Sequence, residues 1–204
     1  RDRRNLYDGV PLEEVHKATI LAARTLIEKD PDYTYVTARL LMHTIAKEVL
    51  QTEVNSAELA QQYADYFPKS IKNGVESGLL DPQLMQFDLQ RLGAALKPER
   101  DLQFDYLGLQ TLYDRYFLHV RKQRIELPQT FFMRVAMGLS LQEIDREARA
   151  IEFYEVLSSF DFMSSTPTLF NSGTLRSQLS SCYLTTVPDD LDGIYESIKE
   201  NALL

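Results

Sequence analysis

The sequence predicts a mainly α-helical chain that ends in a short strand followed by a helix. Three observations lead to this fold class. Apolar residues recur at spacings of three and four through residues 1–160, which places them on one face of successive helices. Proline, serine, aspartate and glycine stand where such helices would begin and end. The helical spacing stops at Ser164–Cys182, and the β-type run Cys182–Val187 follows.

Composition limits the class of protein. With 204 residues and 44% hydrophobic content, the chain can form one or two domains with a real core. The net charge is −8 and no basic stripe is interleaved with aromatic residues, so we expect no nucleic-acid partner. We expect no membrane span and no signal peptide, because no apolar run is long enough. The single cysteine excludes an internal disulfide framework and is typical of the reducing cytoplasm.

The first two helices are predicted to form an antiparallel hairpin. Pro11 fits the first position of a helix. Asp30-Pro31 fits the N-cap and first position of the next helix, and the connection between the two is short. The predicted packing faces are Val15, Thr19, Ala22 and Leu26 in the first helix and Tyr33, Val36, Leu40 and Thr44 in the second.

Capping residues and apolar spacing predict the elements that follow. The predicted helices run from a capping box at Asn55–Glu58 to about Glu76 with Gly78 behind it, from Asp81-Pro82 to Pro98, over residues 103–118, from Leu127-Pro128 to Gly138, from a Ser140 cap to about Phe160, and over residues 191–204. The charged residues Arg121–Arg124 suggest a solvated turn or a contact with another subunit.

The segment Ser164–Cys182 is the strongest candidate for chemistry. Thr166-Pro167 should end the preceding helix by about Ser164, and Asn171–Gly173 favours a turn. Hydroxyls and backbone N–H groups in such a loop can hold phosphate or sugar oxygens. Cys182 would then begin a strand close to that loop. In the alternative interpretation, Cys182 is a small buried hydrophobic residue and the loop is an ordinary one.

The motif STPTLFNSG followed by QLSSC resembles the large (α) subunit of class I ribonucleoside-diphosphate reductase. The resemblance also covers LYDGVP, DPDYTYVTARLL and the closing PDDLDGIYESIKENALL, and is weaker over residues 52–100. It implies an N-terminal fragment with three regions. These are the C-terminal half of an ATP-cone-like helical region at 1–50, a helical domain at 51–160, and the substrate loop with the first strand and helix of a ten-stranded α/β barrel at 161–204.

The resemblance implies an enzyme that reduces ribonucleoside diphosphates to deoxyribonucleoside diphosphates by radical chemistry. Cys182 matches the cysteine that supplies a proton and reducing equivalents at the 2′ position and ends in a disulfide with a later cysteine. A thiol pair suits this step, because it can supply both the proton and the reducing equivalents and then close to a disulfide. Thr166 and Ser181 match further substrate-binding positions.

The resemblance also implies nucleotide regulation. Asp189, Asp190 and Leu191 match the segment that contacts a deoxynucleoside triphosphate or ATP as specificity effector, although Asp190 could equally cap the following helix. His16 and Lys47 match residues that contact ATP or dATP. In the alternative interpretation, they are simply an exposed polar pair. Leu12 stands where the family often has threonine. Because the front half of the cone is missing, we expect poor ATP binding by this chain alone.

Partners follow from the same resemblance. They are a metal-containing small (β) subunit that generates the radical, a second α subunit, and thioredoxin or glutaredoxin as reductant. We expect no cofactor or metal in this chain, since His43 and His119 lack neighbours at ligand spacing. The chain starts at Arg1 and ends at Leu204 inside a helical pattern, so we expect a fragment that is inactive alone.

Two other interpretations stay open. A helical protein-interaction module without an active site would explain the helices and the acidic charge, with Cys182 as a packing residue. A reductase of another class would share the barrel and the redox cysteine but not the small subunit. An Asn-x-Cys-x-Glu run and a second lone cysteine further along the full-length sequence would favour a reductase.

Overall fold

A computed structural model of the chain describes residues 7–52, 54 and 57–204. Its described part is mainly helical, as the sequence predicts. The α-helices are α1 Leu12–Arg24, α2 Tyr33–Leu50, α3 Leu59–Glu76, α4 Leu89–Ala94, α5 Tyr106–Thr111, α6 Pro128–Leu139, α7 Arg146–Ser158, α8 Thr166–Asn171 and α9 Leu191–Leu203. Shorter elements are the 3₁₀ turns Pro82–Gln86 and Pro98–Gln103, the π-helical turn Leu112–Tyr116, and the strands β1 His119–Val120 and β2 Gln123–Arg124.

The α1–α2 hairpin forms as predicted, but the most buried residues of both helices lie outside the predicted faces, and in α1 they are Ile20 and Ala23. The rings of His16 in α1 and His43 in α2 meet edge to face, with centroids 6.1 Å apart. The predicted face is wrong for α2, since Val36 is 45% exposed. The buried residues of α2 are Thr37, Ala38, Leu41, Ile45, Ala46 and Val49. This shift arises because α2 packs against both α1 and α5, so its most buried stripe lies between the two contacts.

Aspartates begin several of these helices, one where it was predicted and two at positions that were not predicted. Asp30 caps the start of α2 as predicted, since its Oδ1 accepts from the backbone N–H of Asp32 at 3.1 Å. The first turn, at Pro31 and Asp32, is closed by bonds between residues three apart, and the regular α-helix begins at Tyr33. Asp88 and Asp105 cap new helices inside two runs that were each predicted as one helix. An aspartate side chain that binds the N–H groups of the following turn favours a helix start at that point.

The boundary between α6 and α7 corrects another prediction. Ser140 does not cap α7; its hydroxyl donates to the carbonyl of Ala136 at 2.8 Å and so belongs to the end of α6. Asp145 caps α7 instead, accepting from the N–H of Ala148 at 3.2 Å. By contrast α3 ends at Glu76, with Gly78 behind it at φ +70, as predicted. The predicted capping box includes Asn55 and Ser56, which lie outside the described residues.

The predicted strand at Cys182–Val187 is wrong. These residues form no ladder in the part of the chain that the structure describes, and most of their side chains are exposed. A strand requires a neighbour that exchanges backbone hydrogen bonds with it, and the two-stranded sheet of the described residues is β1 with β2. Its turn, Arg121 and Lys122, has φ of 50 and 70, which confirms the predicted turn and adds a hairpin that the sequence analysis missed.

One hydrophobic core runs from Ile20 in α1 to Leu169 in α8. Helix α6 lies inside it, and all its residues from Pro128 to Met137 are buried. This helix therefore supports whatever packs on its surface, including α8. Helix α9 lies outside the core and buries only Ser197 among its residues.

Candidate functional site

Thr166 begins a short helix rather than lying in a loop. Ser165 is extended, with φ −63 and ψ 156, and Pro167 occupies the first turn of α8. Proline fits there because the first N–H groups of a helix have no partner inside the helix. The preceding helix ends at Ser158, as predicted, and Gly173 makes the predicted turn with φ +78.

Tyr116 holds the start of α8. Its hydroxyl lies 3.1 Å from Oγ1 of Thr166. Its ring stacks on Phe170 at 4.4 Å between centroids and meets Phe131 of α6 edge to face at 6.3 Å. The exposed Thr166 side chain borders two surface cavities, of about 640 and 710 Å³. The π-helical turn Leu112–Tyr116 thus contacts both the core and the candidate substrate residue.

Arg134 holds the end of α8. It is fully buried and forms a two-point ion pair with Glu126, with Nε–Oε1 at 2.8 Å and Nη2–Oε2 at 3.2 Å. Its Nη1 donates to the carbonyls of Leu169 at 3.0 Å and Ser172 at 2.9 Å. In the other direction, the Ser172 hydroxyl donates to the carbonyl of Val135 at 2.7 Å. Helix α6 therefore fixes the position of the last turn of α8.

Two side chains of α8 in turn hold the backbone that leads to Cys182. Asn171 donates from Nδ2 to the carbonyl of Gln178 at 2.7 Å, and the Thr168 hydroxyl donates to the carbonyl of Leu179 at 3.2 Å. Ser181 and Cys182 lie two and three residues beyond Leu179, and both are exposed. Cys182 is a free thiol at the surface. Within this chain Cys182 therefore does not pack in the core, contrary to the alternative interpretation.

Asp189, Asp190 and Leu191 lie at the exposed start of α9. Asp190 caps that helix, since its Oδ1 accepts from the N–H of Gly193 at 2.8 Å. The capping role predicted as an alternative is confirmed.

His16 and Lys47 line one cavity of about 610 Å³ between α1 and α2. Leu12, Lys17, Thr44, Glu48 and Tyr113 line it as well. The Tyr113 hydroxyl donates to Oε2 of Glu48 at 2.6 Å. Burial, reinforced by the Glu48 carboxylate, raises the pKa of Tyr113 to about 12, so this hydroxyl stays protonated at neutral pH. The predicted pair thus shares a pocket with two acids, Glu13 and Glu48, and a second lysine.

The sequence analysis did not single out Arg134, Glu48, Tyr113 or Tyr116. A signal for Arg134 existed, because it interrupts the apolar run from Phe131 to Met137, and a buried charge requires a partner. In the described ranges no group of three or more His, Cys, Asp or Glu side chains could hold a metal ion. No described helix is both long and apolar enough to cross a membrane.

The matched region defines the class of domain. A family model described as "Ribonucleotide reductase, all-alpha domain" matches residues 102–177, which include Tyr116, Arg134 and the whole of α8. The chain is 51% identical to the ribonucleoside-diphosphate reductase subunit alpha of Chlamydia muridarum, over 98% of this chain and 19% of that protein. It is 41% identical to the subunit alpha of Helicobacter pylori, over 99% of this chain and 25% of that protein.

A viral protein is also similar to this chain. The ribonucleoside-diphosphate reductase large subunit of Variola virus is 34% identical over 98% of this chain and 25% of that protein. By these matches the chain belongs to the ribonucleoside-diphosphate reductase large-subunit family. It spans about a fifth to a quarter of the length of these curated relatives.

Proposed function

We propose that this chain is part of a class I large subunit that reduces ribonucleoside diphosphates, with Cys182 as one of its two redox-active thiols. The observation that carries the proposal is the position of that thiol. It is exposed, and Asn171 and Thr168 of α8 tie the backbone before it to the helix that presents Thr166. The relatives are named for the same reaction class.

The chemistry at Cys182 balances with a second thiol. Replacing the 2′-hydroxyl by hydrogen breaks a C–O bond and forms a C–H bond, and the hydroxyl leaves as water. Two thiols supply the two hydrogens and two electrons and become one disulfide. The second cysteine lies outside this chain, since Cys182 is the only one here. Thr166 and Ser181 would bind the substrate through their hydroxyls.

The proposal includes the regulatory and partner roles. His16 and Lys47 would contact ATP or dATP in the cavity between α1 and α2, and Asp189, Asp190 and Leu191 would contact the specificity effector. A metal-containing small subunit would supply the radical, a second large subunit would complete the enzyme, and thioredoxin or glutaredoxin would reduce the disulfide in the cytoplasm. Residues 1–50 would belong to an ATP-cone, 51–160 to the helical domain, and 161–204 to the approach to a ten-stranded barrel.

Disulfide mapping in the full-length protein tests this proposal. The enzyme is loaded with CDP, an effector and the radical-generating subunit, without external reductant, and digested after one turnover. We expect Cys182 in a disulfide with a later cysteine, in an amount equal to the deoxycytidine diphosphate formed. Cys182→Ser should abolish turnover without changing the far-UV circular dichroism spectrum.

Two outcomes contradict the proposal in different ways. If product forms while Cys182 stays a free thiol, its redox role is wrong. If the enzyme forms no product with any effector, the reductase assignment for this protein is wrong, and the interaction-module hypothesis gains.

A further inference from the structure

Helix α8 is too short to hold its own position. It has six residues, and isolated helices of this length are unstable in water. Among its residues only Leu169 is buried, so apolar packing alone gives it little support. The contacts made to it by the core must therefore determine where Thr166 and the backbone before Cys182 lie.

Two of the side chains that make such contacts lie at opposite ends of α8. Backbone bonds from Asp81 to Gly173 at 3.0 Å and from Leu175 to Leu79 at 3.2 Å also hold the turn behind the helix. Tyr116 bonds Thr166 at the first position and stacks on Phe170. Arg134 binds the carbonyls of Leu169 and Ser172, at and beyond the last turn. The last carbonyls of a helix lack partners inside the helix, and a guanidinium with several donors in a fixed plane can satisfy more than one of them at once.

We propose that Tyr116 and Arg134 are positioning residues for the reductase reaction, which set the two ends of α8. This inference rests on the proposed function, and it assigns a separate task to each end. Tyr116 orients the Thr166 hydroxyl, and so acts on substrate binding. Arg134 fixes the end that carries Asn171, whose side chain holds Gln178 ahead of Ser181 and Cys182, and so acts on the step at the thiol.

Glu126 explains how a cation can serve this purpose inside the core. Arg134 has no exposed side-chain surface, and a buried charge is costly unless it is paired and fully hydrogen-bonded. Both oxygens of Glu126 bind Arg134, and Oε2 also accepts from the N–H of Leu118 at 2.8 Å. The carboxylate holds Nε and Nη2 of the guanidinium, and Nη1 donates to the carbonyls at the end of α8.

Paired substitutions in the full-length enzyme test the two tasks. Tyr116→Phe keeps the ring and removes the bond to Thr166, and its matched control is Tyr66→Phe, which loses a bond to the carbonyl of Ile125. Arg134→Lys keeps the charge but loses the planar donor set, and its control is Arg100→Lys, which loses contacts to Glu155 and Ser158 in α7.

The kinetic constants for CDP give the expected result. Tyr116→Phe should raise KM about fivefold, the effect of one ordinary hydrogen bond, with kcat within about twofold. Arg134→Lys should lower kcat about tenfold and Arg134→Met still further, so that lysine gives partial rescue. Both controls should stay within about twofold of the wild type in KM and kcat. The inference is overturned if Tyr116→Phe and Arg134→Lys change these constants no more than their controls do.

A measurement without substrate separates this inference from the proposed function. If the wild type does not reduce CDP, the proposed function fails. The placement of α8 is then judged by amide hydrogen exchange at Leu169–Thr174 in the folded protein. Faster exchange in Arg134→Lys than in Arg100→Lys supports the holding role of Arg134, and equal exchange overturns it. Arg134→Lys and Tyr116→Phe carry the test if Arg134→Met does not fold.

Discussion

Asp101 is a buried carboxyl with no task in the proposed reaction. It accepts from the hydroxyl of Tyr63, and from Nε2 of Gln129 at 2.8 Å. Gln129 in turn accepts from the hydroxyl of Tyr154 at 2.7 Å. Burial raises the pKa of Asp101 to about 7, although the hydrogen bonds from Tyr63 and Gln129 act to lower that pKa. The network links α3, α6 and α7 through polar groups inside the core.

This raised pKa predicts a pH-dependent stability. Above pH 7 the folded protein holds a buried carboxylate. Below pH 4 the carboxyl is protonated in both the folded and the unfolded state, so its contribution is fully favourable there and is lost as pH rises from about 4 to 7. The shift from 3.8 to about 7 corresponds to a free energy on the order of 4 kcal/mol.

Asp101→Asn tests this contribution by removing the titration. We expect the free energy of unfolding, measured with urea between pH 4 and 8, to fall less with pH in the variant than in the wild type. Asp65→Asn, at an exposed carboxyl, should leave the wild-type pH dependence unchanged. Parallel curves for Asp101→Asn and the wild type would contradict the prediction.

At the scale of single residues, the motifs predict site residues but not the side chains that hold them in place. Cys182, Thr166 and the pair His16 and Lys47 stay predictions. The contact of Tyr116 with Thr166 spans 50 positions of the chain, and that of Arg134 with Leu169 spans 35. No local pattern encodes such a contact. It depends on how α6 and α8 pack.

The approach of α6 to α8 is close enough to require glycine. A Cβ on Gly138 would lie 2.1 Å from the backbone nitrogen of Gly173 and 2.3 Å from Oγ of Ser172. Both atoms belong to the turn that follows α8, and Ser172 is itself bonded to Arg134 and Val135. Any side chain at Gly138 must therefore move α8 away from α6.

Gly138→Ala is expected to destabilise the protein by about 3 kcal/mol through this clash, although alanine alone favours a helix by about 1 kcal/mol over glycine. The comparison is Gly78→Ala, where φ is +70 but no atom lies within 4 Å of the new Cβ. That change should cost about 1 kcal/mol from backbone strain. Urea denaturation measures the free energy of unfolding of both variants. If that free energy falls less for Gly138→Ala than for Gly78→Ala, the contact between α6 and the turn behind α8 is not tight.

At the scale of elements, local signals predicted most helices and misplaced several boundaries. Pro128 and Gly78 mark the start of α6 and the end of α3 as expected. Three helices begin inside predicted runs, at Asp88, Asp105 and Asp145. Apolar spacing alone does not show which polar residue binds the N–H groups of the next turn. The predicted strand failed for a different reason. A strand is defined by its partner, and none is present in the described ranges.

At the scale of the whole molecule, the chain divides into a packed part and an exposed part. The core ends at Leu169, and residues 177–190 form no regular element. Helix α9 exposes Leu191, Tyr195 and Ile198. Segments with few buried contacts open at low free-energy cost, so the part that carries Cys182 should open before the core does.

Limited trypsin digestion of the 204-residue chain should show this order. Within residues 7–204, we expect the first cut after the exposed Arg176, since a protease needs an extended, locally open backbone. Arg176→Gln should remove that cut. The large product keeps the core from Ile20 to Leu169, and should unfold with heat in one transition within about 5 °C of the intact chain. If trypsin cuts α3 or α6 first, the division into a packed core and an exposed part is wrong. If the large product unfolds in two thermal transitions, the boundary proposed near residue 50 separates two folding units.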